Sequence, residues 1–250
     1  SPEQKALLHC IVLEELSAGD VGLFITCGLL NIAPEIARAS GRADLVEFFG
    51  KRDELCCLAL TEPGHGSDIV AFTEPAYRNP RIKPALKCRR DGANYVLNGQ
   101  KAAWVSGGTL AGSGIVFASF ENSPVGFADG AVFLMPFDLP GVSKGKPLEK
   151  IGQRALNQGE IFFDNVEVPA QFLLGEGPEL YPLIWEMNLK GANIAMGQQF
   201  VGVARAAYDL ALDYARQWVQ GGCPIIEHQN VKTRIFGMFQ KLEAARSPVR

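Results

Sequence analysis

The spacing of hydrophobic residues changes twice along this chain, and that double change limits the folds open to it. Residues 1 to about 55 place Leu8, Val12 and Leu16, then Leu23, Cys27 and Leu30, three or four positions apart, with breaks at "SAGD" and "ASGRAD". Such intervals put apolar side chains on one face of a helix. From about 56 to 168 the pattern becomes short apolar or alternating runs, "CLAL", "ALKCRR", "YVLNG", "AAWVS", "GIVFASF", "AVFLMPF" and "EIFFDNVEV", separated by Gly, Pro, Asn and Asp. Runs rich in Val, Ile, Phe and Trp with that punctuation are what a β-sheet requires. After Pro178 the helical period returns, with Val201, Ala204, Tyr208, Ala211, Leu212, Ala215 and Val219 on one face. Beyond the break at "QGGCP", Val231, Ile235, Met238, Leu242 and Ala245 form another.

The reading is therefore an α+β fold. Residues 1–55 form part of an N-terminal helical domain, 56–168 a central antiparallel, barrel-like β-domain, and 169–250 a helical hairpin that is part of a four-helix bundle. Two helices cannot bury both of their apolar faces on each other, so the hairpin needs the N-terminal helices or another subunit as cover.

Charge and cysteine content remove several classes of function. Lys and Arg number 24 against 27 acids, and no basic run carries interleaved aromatics, so no nucleic-acid footprint is present. The longest apolar runs, such as "GVARAAYDLALDYA", meet a charge well before the roughly 20 residues of a membrane span. The six cysteines lack C-x-x-C spacing and the three histidines are scattered, so neither a disulfide framework nor a metal site is expected. Reduced, buried thiols suit an intracellular compartment. The opening "SPEQKALLHCIVLEELSAGD" has no basic leader or cleavage site, and no targeting segment is read from it.

The stretch "LALTEPGHGSDIVAF", residues 58–72, concentrates polar chemistry beside an apolar run. Ser67 as a nucleophile with His65 as its base is disfavoured: residues two apart in an extended loop point in opposite directions, and no G-x-S-x-G elbow is present. The Lys-Ser/Thr ending of a phosphate loop is missing too. A plain turn between strands remains open on local grounds. "NGQKAAWVSGG", residues 98–108, would place Trp104 and Ser106 on one face of a strand, a flat ring beside a hydroxyl. "GEG" at 175–177 is too short for a dinucleotide fingerprint and reads as a helix entrance.

Taken in order, "VLEELSAGD", "LALTEPGHGSD", "YVLNGQKAAWVSGG", "KIGQR" with "GEIFFDNVEVPAQFLLGEG", "GVARAAYDLALDYA" and "PIIEHQNV" resemble the acyl-CoA dehydrogenase family of flavoproteins. The likeness covers most of the chain. It implies an enzyme with an N-terminal helical domain, a central β-domain and a C-terminal four-helix domain, with FAD as cofactor. The implied reaction removes an α-proton with a glutamate while the β-hydrogen leaves as hydride to flavin N5, giving a trans-2-enoyl-CoA. By position, Leu60 and Thr61 match contacts to the flavin ring, Trp104 the tryptophan beside it, and Ser106 the hydroxyl aimed at N5. Gly66 and Ser67 match positions lining the flavin and the CoA ester, with Gly66 assigned to the cofactor and Ser67 to the substrate. The resemblance also implies an acyl-CoA substrate, an electron acceptor such as an electron-transfer flavoprotein, and a homodimer or homotetramer. It suits a cytoplasmic or, in a eukaryote, mitochondrial matrix location.

Two departures from the pattern stand out. The family's base is expected beyond Arg250, its alternative position is held by Ala192, and nearby Glu186 lies roughly opposite on the helix at 3.6 residues per turn. At "RQWVQGGCPIIEHQ", Trp218 and Gly221 stand where the family has an arginine and a phenylalanine, with Arg216 two residues off. Helices expected at both ends are missing, which reads as a truncated protein. A flavin-dependent oxidase or monooxygenase of the same fold, and a non-catalytic flavin-binding fragment, are the alternative readings.

Overall fold

The computed structural model describes residues 1–71, 74–82 and 84–249, with no side-chain description at residues 2, 69, 70, 76 and 249. Contacts divide the chain into two compact units, Ser1–Phe24 with Leu189–Arg250, and Ile25–Asn188.

In the first unit the long N-terminal helix α1, Pro2–Gly28, does not stop at "SAGD" but bends there. Asp20 leaves the helical region at φ −152°, ψ 107°, and its Oδ1 accepts the Leu23 N–H at 2.8 Å. It thus caps the helical piece that follows. The first part of α1 contributes Leu13, Glu14 and Ser17 to a core that includes Val201 and Ala215 of α4, Leu180–Gln217, and Leu242 of α5, Gln229–Arg246. A Cβ on Gly202 would lie 2.3 Å from the Glu14 carbonyl oxygen, so only glycine permits this approach of backbones. Arg246 closes the arrangement on buried Glu14, with Nη2 at 2.8 Å from Oε1 and Nε at 3.2 Å from Oε2.

The "QGGCP" break between α4 and α5 is a hairpin. Val219–Gln220 pairs antiparallel with Cys223–Pro224, and Gly221 and Gly222 turn the chain at φ 69° and 86°, the left-handed pair that a two-residue hairpin demands. Trp218 stacks on Tyr214 with centroids 5.6 Å apart and planes at 13°, and Arg216 approaches Asp213 at 3.9 Å.

In the second unit, α2 (Ile32–Ala39) and α3 (Ala43–Phe49) precede eight strands. These are β1 Cys56–Ala59, β2 Lys87–Asp91, β3 Asn94–Lys101, β4 Ser113–Phe120, β5 Gly130–Pro136, β6 Val142–Lys144, β7 Ile161–Val168 and β8 Leu173–Glu176. They form one sheet in the order β6-β7-β3-β2-β4-β5-β8, with β1 joined to β4. The sheet is an open path rather than a closed barrel, ending in the short edge strands β6 and β8. It is also mixed: β4 runs parallel to both β1 and β2. Long connections make those parallel pairs available, and nothing in the local alternation of either strand reveals them.

β4 and β5 are buried along almost their whole length, which explains why both read as continuous apolar runs rather than as alternation. Two local expectations change. "AAWVS" is not a strand but an irregular turn after β3, and "GEG" is the end of β8 followed by a left-handed Gly177 at φ 90°, with α4 starting at Leu180. No single described helix is long and apolar enough to cross a membrane.

Candidate active site

The end of β1 and the end of β3 are fastened together by one buried lysine. Lys101, closing β3, donates from Nζ to the Leu60 carbonyl at 2.9 Å and to Glu62 Oε1 at 2.8 Å. Both charged side chains are all but sealed from solvent, at 1% and 2% exposure. Glu62 also accepts the Ala85 N–H on Oε2 at 2.5 Å, and the Ala102 N–H bonds the Thr61 carbonyl at 2.8 Å. Burial pushes the Lys101 ammonium below its usual range, while the charge and hydrogen bond of Glu62 oppose that fall. A buried pair of this kind holds its partners in place because either charge left alone would be strongly penalised.

From Lys101 the chain enters the turn that carries Trp104 and Ser106, and residues about fifty positions later brace it. Ser106 bridges to Gln158, the Gly107 N–H bonds the Asn157 carbonyl at 2.7 Å, and the Gly159 N–H bonds the Val105 carbonyl at 3.2 Å. Asn157 Oδ1 accepts from both Thr109 N, at 3.2 Å, and Thr109 Oγ1, at 2.9 Å. Gln158 Nε2 donates to the Trp104 carbonyl and to Ser106 Oγ, each at 3.2 Å. Its Oε1 accepts from Lys150 Nζ at 3.0 Å.

A recess of about 440 Å³ opens beside this turn, lined by Glu62, His65, Gly66, Ala103, Trp104 and Glu160 among others. Its volume falls in the range of small-molecule sites, roughly 300–1,000 Å³. Trp104 is 63% exposed there, a large ring without cover from the chain. His65 Nδ1 lies 2.7 Å from Asp68 Oδ2; a carboxylate only accepts, so Nδ1 carries the hydrogen. The same ring meets Phe127 edge-on at 4.7 Å. Asp68 Oδ1 takes the Gly66 N–H at 2.7 Å.

Of the residues singled out from sequence, the recess brings Gly66 and Trp104 together. Leu60 and Thr61 are tied into the same framework through their carbonyls, and Ser106 through Gln158. Ser67 opens a short 3-10 turn, Ser67–Val70, and is exposed. The glycines are not crowded by this chain: a Cβ on Gly64 or Gly66 would meet nothing within 4 Å. Trp104 and Ser106 occupy a turn, so their common placement comes from Gln158 and not from strand alternation.

A second cavity of the same unit, about 400 Å³, is lined by Ile36, Ala39, Leu173, Leu180 and Ile184 with Arg42 at its wall. The Arg42 guanidinium is taken by Asp44 and by the Gln171 and Leu173 carbonyls, and the polar groups of Ser40 and Asn188 donate to the Ala37 and Ile184 carbonyls, leaving a mainly apolar hollow. The recess at Trp104 is the better candidate for chemistry.

Residues 57–166 match the model of the acyl-CoA dehydrogenase middle domain, and residues 184–250 that of the C-terminal domain of the same family. The chain belongs to the acyl-CoA dehydrogenase family. Among curated relatives of this acyl-CoA dehydrogenase family member, the mitochondrial 2-methylacyl-CoA dehydrogenase of Solanum tuberosum is 31% identical over 97% of the chain. The mitochondrial short-chain specific acyl-CoA dehydrogenase of Rattus norvegicus is 31% identical over 96%. The chain spans about 57% and 56% of the lengths of these two relatives. Butyryl-CoA dehydrogenase from Megasphaera elsdenii superposes with a TM-score of 0.83 at 28% identity, over 98% of this chain and 61% of that one. Glutaryl-CoA dehydrogenase from Mycobacterium smegmatis, solved in complex with FADH2, shares the fold with a TM-score of 0.80 at 24% identity, over 98% of this chain and 59% of that one.

Sequence reasoning missed Lys101, Glu62, Lys150 and Gln158, which organise the site of this family member. One signal was present for Lys101. A lone charge at the end of β3, directly before the apolar "AAWV", has to be either buried and paired or at an edge.

Proposed function

We propose that this chain carries the flavin-binding wall of an FAD-dependent acyl-CoA dehydrogenase, an enzyme that takes a proton from Cα and a hydride from Cβ of an acyl-CoA thioester to leave a trans-2,3 double bond. The observation that carries the reading is the uncovered Trp104 ring beside the recess, with its own carbonyl and the Ser106 hydroxyl gripped by a single amide. An exposed tryptophan is a large apolar surface with a polar edge, suited to stacking against a flat heteroaromatic ring.

The residues present fit such a ring. Thr61, Trp104 and Ser106 would hold the isoalloxazine, Leu60 and Gly66 would border it, and Ser67 would lie toward the thioester. FAD, when bound, supplies the hydride acceptor. The chain supplies a fixed wall: the Lys101–Glu62 pair keeps residues 60–62 from moving, and Gln158 with Asn157 keeps the 104–109 turn in register. Preorganised donors and walls of this kind act without rearrangement during the reaction.

Neither carboxylate of the recess serves as the α-proton acceptor in this reading. Glu62 is paired with Lys101, and Glu160 holds the Gln100 amide at 2.9 Å. Electron-transfer flavoprotein as acceptor and a homodimeric or homotetrameric assembly belong to the same proposal.

Titrating the purified protein with FAD tests it. Saturable binding with quenched tryptophan fluorescence, most of it lost in Trp104→Ala, is the expected result. Absence of saturable FAD uptake would sink the proposal. Hydrogen peroxide release on turnover would redirect it to an oxidase.

A further inference from the structure

The hydrogen bonds around Gln158 determine which way the Ser106 hydroxyl points. Lysine only donates, so the atom 3.0 Å from Lys150 Nζ is the amide oxygen. A backbone carbonyl only accepts, so the atom 3.2 Å from the Trp104 oxygen is the amide nitrogen. These two neighbours fix the amide orientation independently, removing the ambiguity that side-chain amides otherwise carry. The nitrogen has two hydrogens; one goes to Trp104 and the other to Ser106 Oγ at 3.2 Å. Ser106 is therefore an acceptor in that bond, and its one hydrogen remains for something else.

We propose that Gln158, pinned by Lys150, sets the polarity of Ser106 so that its hydroxyl donates to an acceptor atom at the edge of the bound ring. Gln158 and Lys150 are positioning residues: neither touches the ring, and both act through Ser106. This rests on the flavin reading of the site. Ser106 is half-buried and lies two residues from Trp104, which lines the recess.

A donor held against the ring favours the redox form in which the facing ring atom is a bare lone pair, and disfavours the form in which that atom has gained a hydrogen. The wild-type site thus leans toward oxidised flavin. Glu in place of Gln158 would reverse the arrangement. A carboxylate beside Lys150 stays ionised and only accepts, so the Ser106 hydrogen would turn toward it and the hydroxyl lone pairs would face the ring.

The test compares the midpoint potential and absorption spectrum of bound FAD in the wild-type protein and in Gln158→Glu, Gln158→Ala, Ser106→Ala and Ser106→Thr. Gln158→Glu is expected to bind oxidised relative to reduced flavin roughly tenfold less well, a positive shift of about 30 mV for a two-electron couple. Ser106→Ala should move in the same direction by less, Gln158→Ala should fall between, and Ser106→Thr, which keeps the hydroxyl, should match wild type. A role limited to folding predicts altered thermal unfolding with no ordered change in potential. FAD uptake by wild type with Gln158→Glu unchanged in potential would overturn this proposal alone. No FAD uptake by wild type would overturn the flavin reading and this proposal with it.

Discussion

β4 and β5 and the turn at Trp104 belong to the same unit but are held by different forces. The two strands pair over seven positions and are buried from Ser113 to Ser119 and from Gly130 to Pro136. Their stability comes from apolar area removed from water, which depends little on direction. The turn from Ala102 to Thr109 exposes its largest side chain and is positioned by hydrogen bonds that it makes with the Thr61 carbonyl, Asn157 and Gln158. The sheet is made robust by many interchangeable contacts; the site is made accurate by a few directional ones.

Matched deletions of a large aromatic from each region should separate the two most widely. Phe133 in β5 is fully buried and meets Tyr95 edge-on at 5.1 Å, so Phe133→Ala is expected to lower the unfolding free energy by about 3–5 kcal/mol. Trp104→Ala should change it by less than about 0.5 kcal/mol while removing most of the FAD-dependent fluorescence quench. Chemical denaturation of both variants gives the comparison, and equal losses would erase the distinction.

The next largest effect falls at the junction of the two regions. Lys101→Met leaves Glu62 buried without its counter-charge, and is expected to cost about 3 kcal/mol. Adding Glu62→Leu should recover a large part of that, because the pair removed together leaves no stranded charge. A double mutant no better than the single would show that residues 60–62 depend on the carboxylate for more than charge balance, for instance through its bond to Ala85 N.

A smaller effect tests the brace alone. Asn157→Ala strips the acceptor from Thr109 N and Oγ1, and about 1 kcal/mol of stability should go with it. FAD affinity should weaken by a similar increment if the turn loosens as a unit. Loss of stability with unchanged FAD affinity would detach Thr109 from the site.

What the sequence made legible follows the same division. "GIVFASF" and "AVFLMPF" announce buried strands because apolar burial leaves a mark at each position. "AAWVS" carries the same β-rich composition, yet it folds as a turn, because what shapes it is a pair of amides some fifty residues later. Such long-range directional bonds leave no local period. The parallel pairing of β1 and β2 with β4 was hidden for a related reason: alternation reports which faces are buried, not which strand lies alongside. Trp104, Ser106 and Thr61 were singled out through family resemblance, whereas Gln158 became apparent only from its partners.

The mildest test concerns acid. Burial pushes the Asp68 carboxyl up, but the hydrogen bonds from His65 and the Gly66 N–H outweigh it and hold the group below the usual aspartate range. A carboxyl depressed in the folded state stabilises fully above its unfolded value, about 4, and loses that contribution as pH falls through the lower folded value. The 62–68 loop should therefore loosen only below about pH 4, and modestly, since Asp68 is half-exposed and solvent screens its bonds. In Asp68→Asn the acceptor for Gly66 N remains while the titration disappears, so the tryptophan emission spectrum should lose the component of the wild-type shift below about pH 4 that Trp104→Ala also removes. If both proteins shift alike, the acid response lies elsewhere in the unit, and the loop owes its shape to the Phe127 contact rather than to the directional bonds that distinguish the site from the sheet.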